Sequence, residues 1–306
     1  MPHVIVPTTG PRRRVVVVGA GPAGLEAARV SAERGHVVVL FEASSEAGGQ
    51  VRLAARQRRR SELIGIIDWR LQQCQALGVE LRFNRLADEA EVLAEAPDIV
   101  IVATGGLPNT EVLRAGGALV VSTWDILSGD VKPAQEVLLF DDNGAHPGLQ
   151  AAEFLAQAGA RLEIVTPERF FAPDVGGLNH VPYAETFQRK GVRITIARRL
   201  LAVRREGNRL SAEIGSDYGA DIRETRQVDQ VVVEHGTLPL ADLYFSLKPQ
   251  SRNLGEVDYA SLIARRPQEV TRNPDGRFRL YRIGDAVSSR NIHAAIYDAL
   301  RLCHVF

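Results

Sequence analysis

The stretch VVVVGAGPAG, Val15 to Gly24, constrains this chain more than any other part of it. An unbroken apolar run followed by glycines spaced G-x-G-x-x-G predicts a buried parallel strand that turns sharply into a helix. Gly19 permits the tight turn, Gly21 lets backbone approach a pyrophosphate, and Gly24 lets the helix pack close against the strand. Pro22 and Ala23 open that helix, whose N-terminus presents N–H groups and a positive dipole end to phosphate. The helix is expected to reach about Arg34 and to stop at Gly35. A second strand, VVVLFE, ends at Glu42, 23 residues after Gly19, where a carboxylate accepts hydrogen bonds from ribose hydroxyls. Strand, loop, helix and acid together predict a dinucleotide site. The loop alone leaves NAD and FAD both open.

The pattern recurs in altered form. EVLLFDD (Glu136–Asp142), a helix from about Pro147 to Ala158, and RLEIVT (Arg161–Thr166) read as a second strand–helix–strand unit. GLEAA at 24–28 overlays GLQAA at 148–152, and the same shift of 124 carries Gly35 onto Gly159. In this copy, LFDDNGAHPG, Gly19 becomes Asn143, Gly21 becomes Ala145, and Glu42 becomes Thr166, while Gly24 keeps its counterpart in Gly148. Asp141 and Asp142 are expected to repel a pyrophosphate, and Gly144 to rescue the turn by a small register shift. Later strands are DIVIVATGG (Asp98–Gly106), VDQVVVEHG (Val228–Gly236) and RFRLYRIGD (Arg277–Asp285). The predicted fold class is α/β with two Rossmann-like dinucleotide-binding domains, the second inserted into the first. The first is expected over 12–130 plus 238–306, the second, with the altered loop, over 131–237.

Several function classes are excluded by composition. Lys plus Arg and Asp plus Glu are both 37, so no global field recruits nucleic acid or anionic lipid. Cys74 and Cys303 are too far apart for a C-x-x-C thiol relay and too few for an iron–sulfur or thiolate metal site, so both are expected as buried hydrophobes. The leader MPHVIVPTTGPRRR has no long apolar core and no other run suits a bilayer, so a cytoplasmic location is expected, without membrane or nucleic-acid partners.

The chain resembles the FAD-containing modules of the oxidoreductases that are fused to old-yellow-enzyme-type barrels. That family includes 2,4-dienoyl-CoA reductase, trimethylamine and histamine dehydrogenases, and N-methylproline or dimethylglycine demethylases. The resemblance covers essentially the whole chain. It rests on VVVVGAGPAGLEAA, FEASSEAGGQVRLAA, DIVIVATGG, STWDILSG, VEHGTLPL and YRIGDAVSSRNIHAAIYDALRLC, and the demethylase branch is the most similar. It implies two nucleotide domains of the glutathione-reductase type, with FAD in the first. The cofactor is then expected on Gly19, Gly21, Pro22, Ala23, Gly24, Glu42, Ala43, Gly49, Gln50, Ala103, Thr104, Gly105, Gly284, Asp285 and Ile292. Asp285 at a strand end suits a ribityl hydroxyl, and Ile292 with its neighbours lies at the flavin pyrimidine edge. Ser288 and Ser289 are candidate caps of the last helix, whose N-terminus stabilises negative charge developing on the flavin.

The resemblance further implies that the substrate site, with FMN and an iron–sulfur centre, belongs to a barrel domain or partner subunit. This chain would then be the C-terminal flavin module of a larger enzyme, excised or encoded separately, and no catalytic residue is assigned on it. NAD(P)H or ADP would meet a weakened second site, and electrons would pass within an N-methyl-amine demethylase-like system or to a carrier protein. Two alternatives remain at this stage: a self-contained NAD(P)H-dependent flavin reductase, and a non-catalytic nucleotide-binding scaffold. RQRRR (Arg56–Arg60) and RRR (Arg12–Arg14) read as solvated surface or as a docking rim. His146 and His293 read as surface or core histidines, or as nucleotide contacts.

Overall fold

A computed structural model describes residues 4–111 and 113–306, so the first three residues of the leader lie outside the described residues. The chain divides into two compact units, the first comprising Met1–Ala55, Ser61–Leu107 and Thr237–Phe306, the second Arg56–Arg60 and Pro108–Gly236.

The first unit opens with β1 (Arg14–Val18), α1 (Pro22–Glu33) and β2 (Val37–Phe41). It continues through α2 (Gln50–Ala55), α3 (Gly65–Ala76), β3 (Glu80–Arg82), α4 (Glu89–Ala94), β4 (Ile99–Val102) and β5 (Gly106–Pro108). In the second unit come β6 (Val121–Ser122), α5 (Thr123–Ser128), β7 (Glu136–Asp141), α6 (His146–Gln157) and β8 (Arg161–Val165). Then follow α7 (Gly177–Lys190), β9 (Arg193–Thr195), β10 (Arg199–Glu206), β11 (Arg209–Gly215), β12 (Arg223–Val228) and β13 (Gln230–Glu234). The chain returns to the first unit with β14 (Thr237–Pro239), α8 (Asp242–Leu247), α9 (Tyr259–Ile263), β15 (Arg279–Arg282) and α10 (Ile292–Cys303).

The first sheet has the order β15-β4-β1-β2-β3, all parallel. Alternation along β1 explains why the run is wholly apolar. Val15 and Val17 pack with Leu25, Ala28 and Leu302 on the helix-covered side, while Val16 and Val18 pack with Phe41, Tyr244 and Leu280 on the other. Each such side chain contributes roughly 1.5–3 kcal/mol by leaving water. On α1, the buried Glu26 is held by Arg29 at 2.7 Å and Arg70 at 2.8 Å, which gives the carboxylate partners inside an apolar face. Both cysteines are buried thiols, pushed by burial to about 12.

The second sheet, β6-β13-β7-β8-β9, is also parallel and follows the same arrangement. The internal repeat is carried by the backbone itself. A shift of 124 takes α1 onto α6 and β2 onto β8 residue for residue, and Gly35 (φ +96°) onto Gly159 (φ +93°). The units differ from the sequence expectation. The second takes in Arg56–Arg60, and its main segment runs from Pro108, not from 131, because the two-residue β6 pairs with β13 and α5 follows it under a Ser122/Asp125 capping box. A two-residue strand carries too little periodicity to be read from sequence. The antiparallel ribbon β10-β11-β12 was likewise not anticipated; its strands are amphipathic and cover Leu138, Phe140 and Val165.

Gly24 is required by space. A Cβ there would lie 1.8 Å from the Gly19 carbonyl oxygen, backbone against backbone. Gly65, at the start of α3, faces nothing within 4 Å. Gly24→Ala is therefore expected to lower stability by about 1–3 kcal/mol, whereas Gly65→Ala should be neutral or slightly stabilising. Thermal midpoints of the two variants, compared with the parent, check this. Equal midpoints would mean that the loop and helix relax around the extra methyl.

Candidate functional site

The expected cofactor residues lie at the carboxyl ends of β1, β2, β4 and β15, all within the first unit. Gly19 takes φ +104°, and its amide donates to the Phe41 carbonyl at 2.8 Å, which draws the loop towards the end of β2. A Cβ at Gly19 would come within 2.4 Å of the Ala103 carbonyl, so the end of β4 lies directly against the turn. Glu42 binds back to the same loop: its carboxylate accepts the Ala20 amide at 2.6 Å and the Ser44 amide at 2.8 Å. Ala43 follows it with its side chain exposed.

Gly48 donates from its amide to the Ala20 carbonyl at 2.9 Å, which sets Gly49 (φ +51°) beside Gly21. Gln50 then reaches Asp285, donating from Nε2 to Oδ2 at 3.0 Å. Asp285 is half-buried, and burial pushes its carboxyl above the ordinary range, opposed by the bonds from Gln50 and the Arg290 amide. Gly284 sits where a Cβ would lie 3.0 Å from the Ala23 side chain and 3.6 Å from that of Ala295, so the first turns of α1 and α10 converge over it. At the end of β4, Thr104 donates to the Leu240 carbonyl at 2.5 Å, and the Leu240 amide donates to Gly105 at 3.0 Å. Ile292 is the first residue of α10. The cap of that helix is Asn291, whose side chain accepts the Ala294 amide at 2.8 Å. Ser288 and Ser289 lie upstream of the cap, and Ser289 instead accepts the Thr237 amide at 3.4 Å. Asn is as good a cap as Ser, so the residue types alone left the position open by three residues.

Gly21 stands apart from its neighbours. Its φ of −72° is open to any residue, and a Cβ there would meet nothing within 4 Å. Neither backbone strain nor internal packing asks for glycine at this point. The empty volume lies at the N-terminus of α1.

In the second unit the loop is built differently. Asn143 does not need a left-handed conformation; Gly144 takes it instead, at φ +66°, as the expected register shift requires. The carboxylate that holds the loop has moved. The Ala20 amide is taken by Glu42 in the first unit, whereas its counterpart Gly144 donates to Asp141 at 3.0 Å, as does the Asn143 amide. Asp141 lies beneath the helix, where a Cβ on Gly148 would come within 2.4 Å of its carboxylate. The place open beside Gly21 holds a methyl group at Ala145, the cap residue of α6.

The repulsion expected from two free aspartates is not what the structure contains. Burial first, and then Glu234, push Asp141 to about 7. Asp142 is paired with His235 and, at 3.4 Å, with Arg199. Glu234 is buried and raised by burial, while accepting from Thr123 at 2.5 Å, Gly236 at 3.0 Å and Asn143 at 3.2 Å. In Arg56–Arg60 the arginines Arg56, Arg58 and Arg59 are exposed, while Gln57 is buried and donates to the Gln150 carbonyl, and Arg59 pairs with Glu153 at 3.1 Å while lying 4.3 Å over the Tyr183 ring. Arg60 contacts His146 at 2.6 Å, and burial, with Arg60 and Arg59, lowers that histidine to about 4. His293 is exposed and stacks on Tyr297. Among the described residues no acidic, histidine or cysteine group is arranged for a metal ion, and no helix is long and apolar enough to cross a membrane.

Comparison with known proteins agrees with this geometry. Residues 17–71 match the NAD(P)-binding Rossmann-like domain model. A probable N-methylproline demethylase of Rhizobium meliloti is 60% identical over 99% of this chain, and an N,N-dimethylglycine/sarcosine dehydrogenase of Chromohalobacter salexigens is 46% identical over 100% of it. This chain belongs to the two-Rossmann module family of these oxidoreductases. It spans 44% and 46% of the length of those two relatives. The histamine dehydrogenase structure from Rhizobium sp. 4-9 superposes with a TM-score of 0.78 at 26% identity, covering 98% of this chain and 42% of that one.

The raised Asp141 carboxyl makes a prediction for pH. A carboxyl whose folded value lies above its ordinary 3.8 holds its proton more tightly when folded. Its contribution to stability is complete below about 4 and is lost as pH rises through about 7. Asp141→Asn keeps an acceptor for the two loop amides but cannot ionise. Relative to the parent, this variant is expected to gain on the order of a few kcal/mol between pH 4.5 and 7.5. Urea midpoints of both proteins across that range test it, and a difference that stays constant with pH would count against the assignment.

Proposed function

We propose that the first unit holds FAD and that the chain relays electrons within an N-methyl-amine demethylase or dehydrogenase-like flavoenzyme. The observation that carries the reading is Gly21, a glycine that neither its own backbone nor its neighbours require, at the mouth of a helix N-terminus. A pyrophosphate in that space explains it. Glu42 would receive ribose hydroxyls in exchange for the loop amides it now holds, and Asp285, oriented by Gln50, would receive a ribityl hydroxyl. Asn291 fixes the start of α10, whose dipole would stabilise negative charge on a flavin held near Ile292. When bound, FAD supplies the acceptance of hydride or single electrons; the chain supplies binding, orientation and electrostatics.

The substrate chemistry falls to the part of the relatives that this chain does not cover, read here as an old-yellow-enzyme-type barrel with FMN and an iron–sulfur centre. The second unit is read as a nucleotide fold whose loop has been converted to structural use. Ala145 fills the phosphate space, and Thr166 offers no carboxylate to a ribose, a loss of about tenfold to a hundredfold in affinity.

Two measurements test this reading. The purified chain should take up FAD and turn yellow, and Gly21→Val should bind FAD at least about tenfold more weakly while its circular dichroism and thermal midpoint stay at parental values. FAD binding undiminished in that variant would place the flavin elsewhere. In anaerobic titrations NADH is expected to reduce the bound flavin slowly or not at all. Rapid reduction by micromolar NADH would instead make the chain a self-contained reductase.

A further inference from the structure

The end of the first sheet opposite the Gly19 loop carries a feature that electron relay does not use. Arg13 precedes β1, Asp98 precedes β4, and Arg279 opens β15 just after Arg277. The parallel register, with Val15 opposite Ile99 and Ile99 opposite Arg279, gathers these positions at one edge. With Arg252 and Phe278 they line a cleft of about 280 Å³. The five residues of β1 separate it from the loop by roughly 15 Å.

Four arginines and one carboxylate line it, Arg13 and Arg279 half-buried and Arg252, Arg277 and Asp98 exposed, and the carboxylate is engaged, since Asp98 accepts the Arg14 amide at 2.7 Å. Arg252 donates through Nε to the Gly276 carbonyl at 3.2 Å. The Nε of Arg279 is buried with no partner. Among the described residues none of the four forms an ion pair, although Arg14, Arg29, Arg70, Arg82 and Arg226 of the same chain all do. Gathering four like charges around a single carboxylate in a concave site is unfavourable, and an unpaired buried N–H adds to the cost. Planar guanidinium forks match the geometry of an oxyanion and prefer a multiply charged one. The volume suits a phosphate group with a small attachment and is too small for a dinucleotide.

We propose that this cleft is a second anion site, which binds the phosphate group of a small molecule at the edge of the sheet remote from the Gly19 loop. It stands independently of the flavin reading, because none of its residues belongs to that site. Inorganic pyrophosphate is the probe for the bare anion and glycerol phosphate the probe for an ester, each titrated calorimetrically into the whole chain at low salt. Gly21→Val serves alongside the parent, because it removes the competing phosphate space of the first loop.

One saturable site, weakening as salt is raised, is expected in Gly21→Val, and the same site is expected in the parent beside any binding at the first loop. Arg277→Gln with Arg279→Gln should lose at least about tenfold in affinity for whichever probe binds. Asp98→Asn, which keeps an acceptor for the Arg14 amide, should bind severalfold more tightly, a gain that misfolding cannot produce. Binding of pyrophosphate alone assigns free phosphate, and binding of both probes assigns an ester. The proposal is overturned if neither probe saturates, if the double arginine variant binds as the parent does, or if Asp98→Asn binds no better.

Discussion

The contact between the Gly19 carbonyl and the Cα of Gly24 governs how the rest of the first unit is arranged. Because no side chain stands between them, α1 starts directly over the end of β1, and its first turn can meet Gly284 and the first turn of α10. The carboxyl ends of β1, β2, β4 and β15 then share one small region. The Gly48 amide on the Ala20 carbonyl and the Gln50 amide on Asp285 depend on that convergence. A methyl group at position 24 would push the helix outward and separate groups that come from residues 19 to 292.

The second unit shows the same scaffold with a differently built loop. The helix and the following strand keep their lengths to the residue, and Gly148 keeps its place in the first turn of the helix. What changed is the polar wiring of the loop. Asp141 rises from within the strand to take the two amides, and Glu234, Thr123 and Asn143 complete a buried network around it. A carboxyl so placed is costly to ionise, which explains why burial pushes Asp141 to about 7. The loop stays ordered by internal hydrogen bonds, with the helix dipole still behind it. Structural satisfaction and phosphate binding draw on the same amides, so the loop can favour one or the other.

Charge follows a similar division. The chain is neutral overall, yet arginines serve in three different ways. Arg29 and Arg70 neutralise the buried Glu26, and Arg59 and Arg60 pack against Tyr183, Glu153 and His146. The cluster around Arg279 meets a single carboxylate, Asp98, and forms no ion pair among the described residues. Composition sees these as equivalent; only their surroundings distinguish them.

The sequence by itself determined the parallel sheets and the repeat. Apolar runs such as Val15–Val18 and Val137–Phe140 have no polar face, so they must be buried on both sides, and the glycine spacing fixes the strand-to-helix turn. It also marked Gly19, Gly21, Gly24 and Glu42 through their spacing, while the other residues expected at the first loop came from the resemblance. Tertiary structure alone decided the remainder. The start of the second unit depends on β6, two residues held by pairing with β13, which no local pattern announces. The cap at Asn291 was decided by where α10 meets Gly284, not by which residues can cap. Whether Asp141 stays charged or secures the loop was decided by burial, and the seat of Arg59 by the Tyr183 ring beneath it. Pattern along the chain fixes what is local and periodic; long-range contacts fix the dielectric and the partners of a charge, and so its role.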